Sequence, residues 1–201
     1  MADFTKMIPF IFHFAAGVYG NNGSELRLSV NKQFEIAKKT GWSNDPDDPG
    51  GATMIDVTLG AYKEYCRIKG RETPDKDQLR NISFSEWTEI LKTMYWDCWH
   101  ADKIKYQGLA NILVDWIWAS GKGSIKRAQR IIGVKDDGIV GCLTLTALNN
   151  ADPKLLFNRI KHARIKHYRN CKGAWKYLNG WLRRLNSIQP DGSFLIHNIL
   201  F

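Results

Sequence analysis

The residues best suited to chemistry lie between Trp42 and Thr53, where the chain reads WSNDPDDPGGAT. Asp45, Asp47 and Asp48 are close enough in sequence to share a cation or to divide acid and base roles between them. Their spacing is not that of a calcium-binding helix-loop-helix, because the terminal glutamate of that loop is absent, and no metal is expected. Asn44 and the aspartates can bond back to their own backbone in turns, and Gly50-Gly51 permits positive φ, which points to an ordered loop. Asp56, Thr53 and Thr58 follow closely and can add a carboxylate and two hydroxyls.

These side chains need elements to hold them. The apolar run through Ile8, Ile11, Phe12 and Ala15 predicts a helix capped by Asp3 or Thr5 and stopped by Gly17. A polar turn at 20–24 precedes a second helix over 30–39, with Phe34 and Ile36 on its apolar side. The loop from Trp42 to Thr53 is too rich in Asp, Pro and Gly for any regular element. Residues 54–59 suggest a short strand, followed by a helix to Ile68. Ser83 with Glu86 is a capping box opening a helix to Trp99, and residues 109–119 are apolar enough for a central buried helix. Shorter helices over 125–132 and 143–148 flank a turn at Asp137-Gly138, with Leu143, Leu145 and Leu148 turned to a core. Two basic amphipathic helices, 155–170 and 175–185, close the chain. The fold class is therefore all-α, with at most a small β-hairpin.

The chain has 201 residues and is 44% hydrophobic, enough for one sizeable core or for a main domain with an appended lobe. Its net charge of +9 favours an anionic partner without choosing one. No run of like charge marks a nucleic-acid tail, and no nucleic-acid partner is expected. The four cysteines are far apart and lack zinc-site spacing, so reduced, mostly buried thiols are expected. The apolar N-terminal run is interrupted by Pro9 and His13 and is too short to span a bilayer. Neither a signal peptide nor stable membrane insertion is expected. The reading is of a monomer without cofactors, made in the cytoplasm.

Two motifs occur in order: NDPDDPGGAT, then DGIVGCLTLTALN from Asp137 to Asn149. The second resembles the signature of small helical peptidoglycan-binding lobes, and the pair resembles glycoside hydrolase family 108, lysozyme-like N-acetylmuramidases. The resemblance implies a lysozyme-like domain over 1–132 and a peptidoglycan-binding-like lobe over 133–201. It implies bacterial peptidoglycan as partner, and a phage-type or periplasmic route to the wall.

In that family the first helix ends in Glu-Gly-Gly-Tyr, and its glutamate is taken to be the catalytic acid. Aligning PFIFHFAAGVY on Gly17 puts Ala15 at that position and leaves some twenty inserted residues, 20–41, before the loop. A second register sets KKTGW against the motif and puts Lys39 there. The first is preferred, because the residues before Ala15 match the family's opening helix.

Glycosidic cleavage needs a protonated carboxyl group to give its proton to the leaving oxygen, and alanine has none. The resemblance thus implies either an inactivated variant or a binding protein that kept the fold. Asp45 and Thr53 are the supporting catalytic candidates. Asn44, Asp48, Gly50, Gly51, Asp56, Thr58 and Trp118 are candidates for substrate contact. Asp56 stands where the family usually has glycine. Trp87 and Trp116 read as core, His13 as packed, and Glu25 and Glu35 as exposed.

Overall fold

A computed structural model describes residues 1–18, 24–48, 50–196 and 199–200. The expected turn at 20–24 lies almost wholly outside them. Two compact units are present, one formed by residues 5–94 and the other by residues 1–4 with 95–201.

In the unit of residues 5–94, α1 (Met7–Ala16) buries Met7, Ile8, Phe10, Ile11 and Phe12 and ends at Gly17, whose φ of +66° closes the helix. Neither Asp3 nor Thr5 is its N-cap. A 3-10 turn (Phe4–Lys6) leads in, and Lys6 occupies the cap without a side-chain bond. α2 (Val30–Thr40) buries Gln33, Phe34 and Ala37. Phe12, Phe34 and Trp87 form an aromatic cluster with ring centroids 5.0–6.1 Å apart.

Three two-residue strands then pair antiparallel: β1 (Trp42–Ser43), β2 (Thr53–Met54) and β3 (Val57–Thr58). Trp42 faces Met54, and Thr53 faces Thr58. The loop expected to be wholly irregular thus opens with a strand, because its first two residues precede the aspartates and can pair. α3 (Leu59–Ile68) is capped by the Thr58 hydroxyl. α4 (Lys76–Arg80), not anticipated from periodicity because it is barely one turn long, is held by a complete Asp75–Gln78 capping box. α5 (Phe84–Leu91) carries the expected Ser83–Glu86 box. It then loosens into a π turn (Lys92–Trp96) and a 3-10 turn (Asp97–Trp99), so the expected single helix to Trp99 is broken in two places.

In the other unit, α6 (Gln107–Ser120) is buried continuously from Gly108 to Ile117, as its composition predicts. α7 (Gly123–Ile132) and α9 (Pro153–Arg169) pack on it, α8 (Cys142–Asn150) packs on α7 and α10 (Ala174–Ser187) on α9, and a small hairpin, β4 (Leu195–Ile196) with β5 (Ile199–Leu200), follows. On α8 the core-facing pair is Thr144 and Leu148, one turn apart. Leu143 points outward and is 82% exposed, correcting the expectation that it faces a core.

The centre of this unit is ionic. Asp115 on α6 accepts from Arg164 Nη2 of α9 at 2.7 Å and from Arg184 Nε of α10 at 2.9 Å. Arg164 also donates to the Ile112 carbonyl and to the Tyr168 hydroxyl. Burial alone would raise the Asp115 pKa, but the charges and hydrogen bonds of Arg184 and Arg164 reverse this and hold it below the usual aspartate value. The thiols are all free; Cys66 is buried, Cys98 and Cys171 are half-buried, and Cys142 is exposed, so "mostly buried" overstates them. Among the described residues no helix is long and apolar enough to cross a membrane.

Candidate functional site

The acidic loop of the first unit is ordered by its own side chains, as Asx chemistry predicts. Asp45 Oδ1 accepts from the Asp47 amide at 3.0 Å, and Asp48 Oδ1 accepts from the Gly50 amide at 2.8 Å. Main-chain bonds from Asp48 to Asp45 and from Gly51 to Asp48 continue the turn, and Gly51 has φ +68°. A Cβ at Gly50 would lie 3.1 Å from Asp48 Oδ1 and 3.4 Å from Thr58 Cγ2. The strand register sets Thr53 opposite Thr58. Asp48, Gly50, Thr53 and Thr58 are therefore brought together, with Thr58 already engaged as the cap of α3. Asn44 is exposed and accepts from Lys76 Nζ at 3.4 Å, while the Arg80 guanidinium lies 5.5 Å from the centroid of the Trp42 ring. The short α4 thus supplies two cations to the loop.

The tip of the β2–β3 hairpin, Ile55-Asp56, has φ of +48° and +62°. Two such residues make the tight turn whose twist suits a two-residue hairpin, a place for glycine or asparagine. Aspartate tolerates it; a β-branched residue there is strained. Ile55 is held by burial and by two bonds. Its amide donates to the Gly41 carbonyl at 2.8 Å, and its carbonyl accepts from Trp87 Nε1 at 3.1 Å. Asp56, half-buried on this turn, occupies a backbone conformation that explains why glycine would fit there.

Gly41 is the junction that the sequence did not single out. Its amide closes α2 on the Ala37 carbonyl, and a Cβ there would meet Ile55 Cγ1 at 2.7 Å and Ala16 Cβ at 3.3 Å. The Thr40 hydroxyl donates to the Ala16 carbonyl at 2.5 Å. The ends of α1 and α2 thus converge on one place beside the hairpin. Ala15 is half-buried near the first end, and Lys39 is exposed near the second. The signal for Gly41 was its place between a helix and a strand too short to be recognised.

Of the remaining candidates, Trp118 lies in the other unit, half-buried and edge-on to Tyr95 with ring centroids 4.6 Å apart. Trp87 and Trp116 are core. His13 is half-buried, its Nδ1 2.8 Å from the Val18 carbonyl. Glu35 is exposed on α2, one turn before Lys39, and Glu25 is half-buried.

The carboxyl groups of Glu86, Glu89, Asp115, Asp136, Asp137 and Asp191 are all displaced downward in pKa. Burial acts against this at Glu86, and the Ser83 and Arg71 bonds outweigh it. At Glu89 the Lys69 bond leads, and at Asp136 the Arg130 bond. None of these is a stored proton for a leaving group, which would need a raised pKa. Among the described residues no cluster of His, Cys, Asp and Glu is placed to hold a metal.

The second motif has its own organiser. Gln129 of α7 is fully buried; its amide nitrogen donates to the Ile139 carbonyl at 2.9 Å and to Asp137 Oδ1 at 3.2 Å, and its oxygen accepts from the Gly138 amide at 2.8 Å. Gly138 has φ +84°, the left-handed position that the Asp-Gly pair predicts.

Comparison with known proteins agrees with the two motifs. Residues 34–121 match the family described as Glycosyl hydrolase 108, and residues 123–186 match the family described as Predicted Peptidoglycan domain. A solved structure titled "Structure of Brucella abortus SagA" shares 23% identity with this chain. It covers 92% of this chain and 90% of its own at a TM-score of 0.71, which establishes likeness of fold. No curated protein matches the chain.

Proposed function

We propose, from the premise that residues 34–121 are a glycosyl hydrolase 108 segment and residues 123–186 a peptidoglycan domain, that this chain acts at the bacterial cell wall as a muramidase-type scaffold whose proton donor is missing. The observation that carries the reading is the meeting of α1, α2 and the hairpin at Gly41, beside Asp48, Gly50, Thr53 and Thr58. A lysozyme-type acid belongs at such a helix end, where partial burial keeps a carboxyl protonated. Ala15 at one end and Lys39 at the other leave both registers without one. The family match begins at Phe34, inside α2, and α2 enters the loop through Gly41 and Trp42. These two facts support Lys39 as the vacated position, in place of the Ala15 register preferred from sequence. Asp45, Asp48, Thr53 and Thr58 are the proposed supporting groups, Asn44, Gly50, Gly51 and Asp56 the proposed sugar-facing ones, and Trp118 a proposed stacking surface on the other unit.

The test is sedimentation with purified peptidoglycan sacculi and assay of new reducing ends. The reading expects the chain to sediment with sacculi and to release no sugar. Failure to sediment at physiological salt defeats it.

A second reading rests on Glu35, the carboxylate one turn before Lys39 on the same face of α2. If the chain does release reducing ends, and Glu35→Gln abolishes this without lowering the melting temperature, Glu35 has taken over the acid's role.

A further inference from the structure

The unit of residues 1–4 and 95–201 contains an open trough of about 880 Å³, whose wall at Lys105 donates its amide to Oδ1 of Asn149, the last residue of the second motif, at 2.8 Å. One side is the entry to α6, with Lys105 and Tyr106; another is the start of α9, with Pro153 and Lys154; the third is the loop around Pro190 and Asp191. The volume falls in the range of small-ligand sites, roughly 300–1,000 Å³.

The third wall is fixed in place. A Cβ at Gly108 would come within 2.2 Å of the Pro190 carbonyl oxygen, and one at Gly192, whose φ is +92°, within 2.4 Å of Gln107 Cβ. The loop therefore lies directly on the α6 backbone at two glycines. The buried Asn111 amide donates to the Gly192 carbonyl at 3.0 Å, and the Gln189 amide donates to the Ser193 carbonyl at 3.0 Å. Gln107 ties the α6 entry to the Asp3 backbone.

The charge in the trough has one sign to spare. Lys105 and Lys154 are exposed, and among the described residues neither ammonium has a carboxylate within ion-pair distance. Asp191 is occupied, accepting from the Ser193 amide at 2.9 Å and the Ser193 hydroxyl at 2.7 Å. The positive end of the long helix α9 lies on the same side as Lys154, its first turn capped through Asp152. Tyr106, Pro153 and Pro190 supply the apolar surface, and Tyr106 is 38% exposed.

A glycan strand would ask for stacked aromatics and neutral amides. The neutral amides in this lining, Gln107 and Gln189, are spent on protein groups, which leaves two ammonium groups, one tyrosine and small apolar walls to suit a short extended peptide carrying several carboxylates and methyl side chains. Resting on the cell-wall reading above, we propose that this trough binds the anionic stem peptide of peptidoglycan, with Lys105 and Lys154 on its carboxylates and Tyr106 against its alanine side chains.

Calorimetric titration of the full chain with free tetrapeptide L-Ala-γ-D-Glu-meso-diaminopimelate-D-Ala tests this. Saturable binding is expected, weakened about tenfold or more when both lysines become glutamine, as the loss of charge-assisted hydrogen bonds predicts. The peptide with its carboxylates amidated should bind as weakly, and the double variant should melt with the parent. Absence of saturable tetrapeptide binding, or equal binding by parent and double variant, overturns the proposal. Saturation by chitotetraose that Tyr106→Ala removes, with the tetrapeptide silent, also overturns it. The outcomes separate from those of the cell-wall reading: a parent that sediments with sacculi while the tetrapeptide is silent loses only the trough. A parent that does not sediment loses the wall reading, and the titration still decides the trough.

Discussion

The acidic loop and the α6–α9–α10 core use the same residue types for opposite ends. In the loop, Asp45 and Asp48 are partly exposed and bond to amides two residues away, so each carboxylate organises its own turn. In the core, Asp115 is completely buried and joins residues 49 and 69 positions away. Changing a loop carboxylate should alter the loop's sugar contacts and leave the fold; changing the buried one should alter the fold. Ionic groups retained in a core are a weak source of net stability but costly to break singly.

The largest expected effect follows from that contrast. Asp115→Asn leaves two arginines buried without their counter-charge and should destabilise the chain by about 3–5 kcal/mol in denaturant melts. A loss under ~1 kcal/mol would contradict the ionic account of this core. The same residue sets an acid limit. Because its folded pKa is depressed, its stabilisation is present above the unfolded value of about 4 and is lost as pH falls through the lower folded value. The parent's melting temperature should therefore drop below about pH 4 more steeply than that of Asp115→Asn.

Next in size is Gly108→Ala, which forces a methyl against the Pro190 carbonyl and should cost about 1–3 kcal/mol. Heightened proteolysis at 189–193 would show that the loop has been displaced. Trp87→Phe removes the donor to the buried Ile55 carbonyl and should cost ~1–3 kcal/mol, seen as faster amide exchange at the hairpin. Gly51→Ala, at φ +68°, is the smallest change, about 1–2 kcal/mol, and is confined to the loop. Equal global destabilisation by Gly51→Ala and Asp115→Asn would erase the distinction between the two regions.

The same contrast governs what could be read from sequence. Helices with long apolar periodicity, such as α6, or with complete caps, such as α5, were legible because their signals are local. So was the order of the two motifs. The Asp115–Arg164–Arg184 network was not, since nothing in the neighbourhood of each residue announces a partner so distant. Leu143 was misplaced because α8 presents Thr144 and Leu148 to the core, a phase that a short helix does not reveal. Gly41 was missed for a related reason. Its role is to let Ile55 and Ala16 approach, and both lie far from it in sequence. That approach also brings together the two candidate positions, since Ala15 and Lys39 lie at the ends of helices that meet.

On the proposed reading, a sugar-cleaving frame lacks its acid at that meeting point. The most direct test is reducing-end release from purified sacculi by Lys39→Glu, with Ala15→Glu and the parent beside it. The parent should be silent, and a glutamate at the proposed position, Lys39 first, should restore release. A parent that already releases reducing ends at a rate neither substitution changes would contradict the reading.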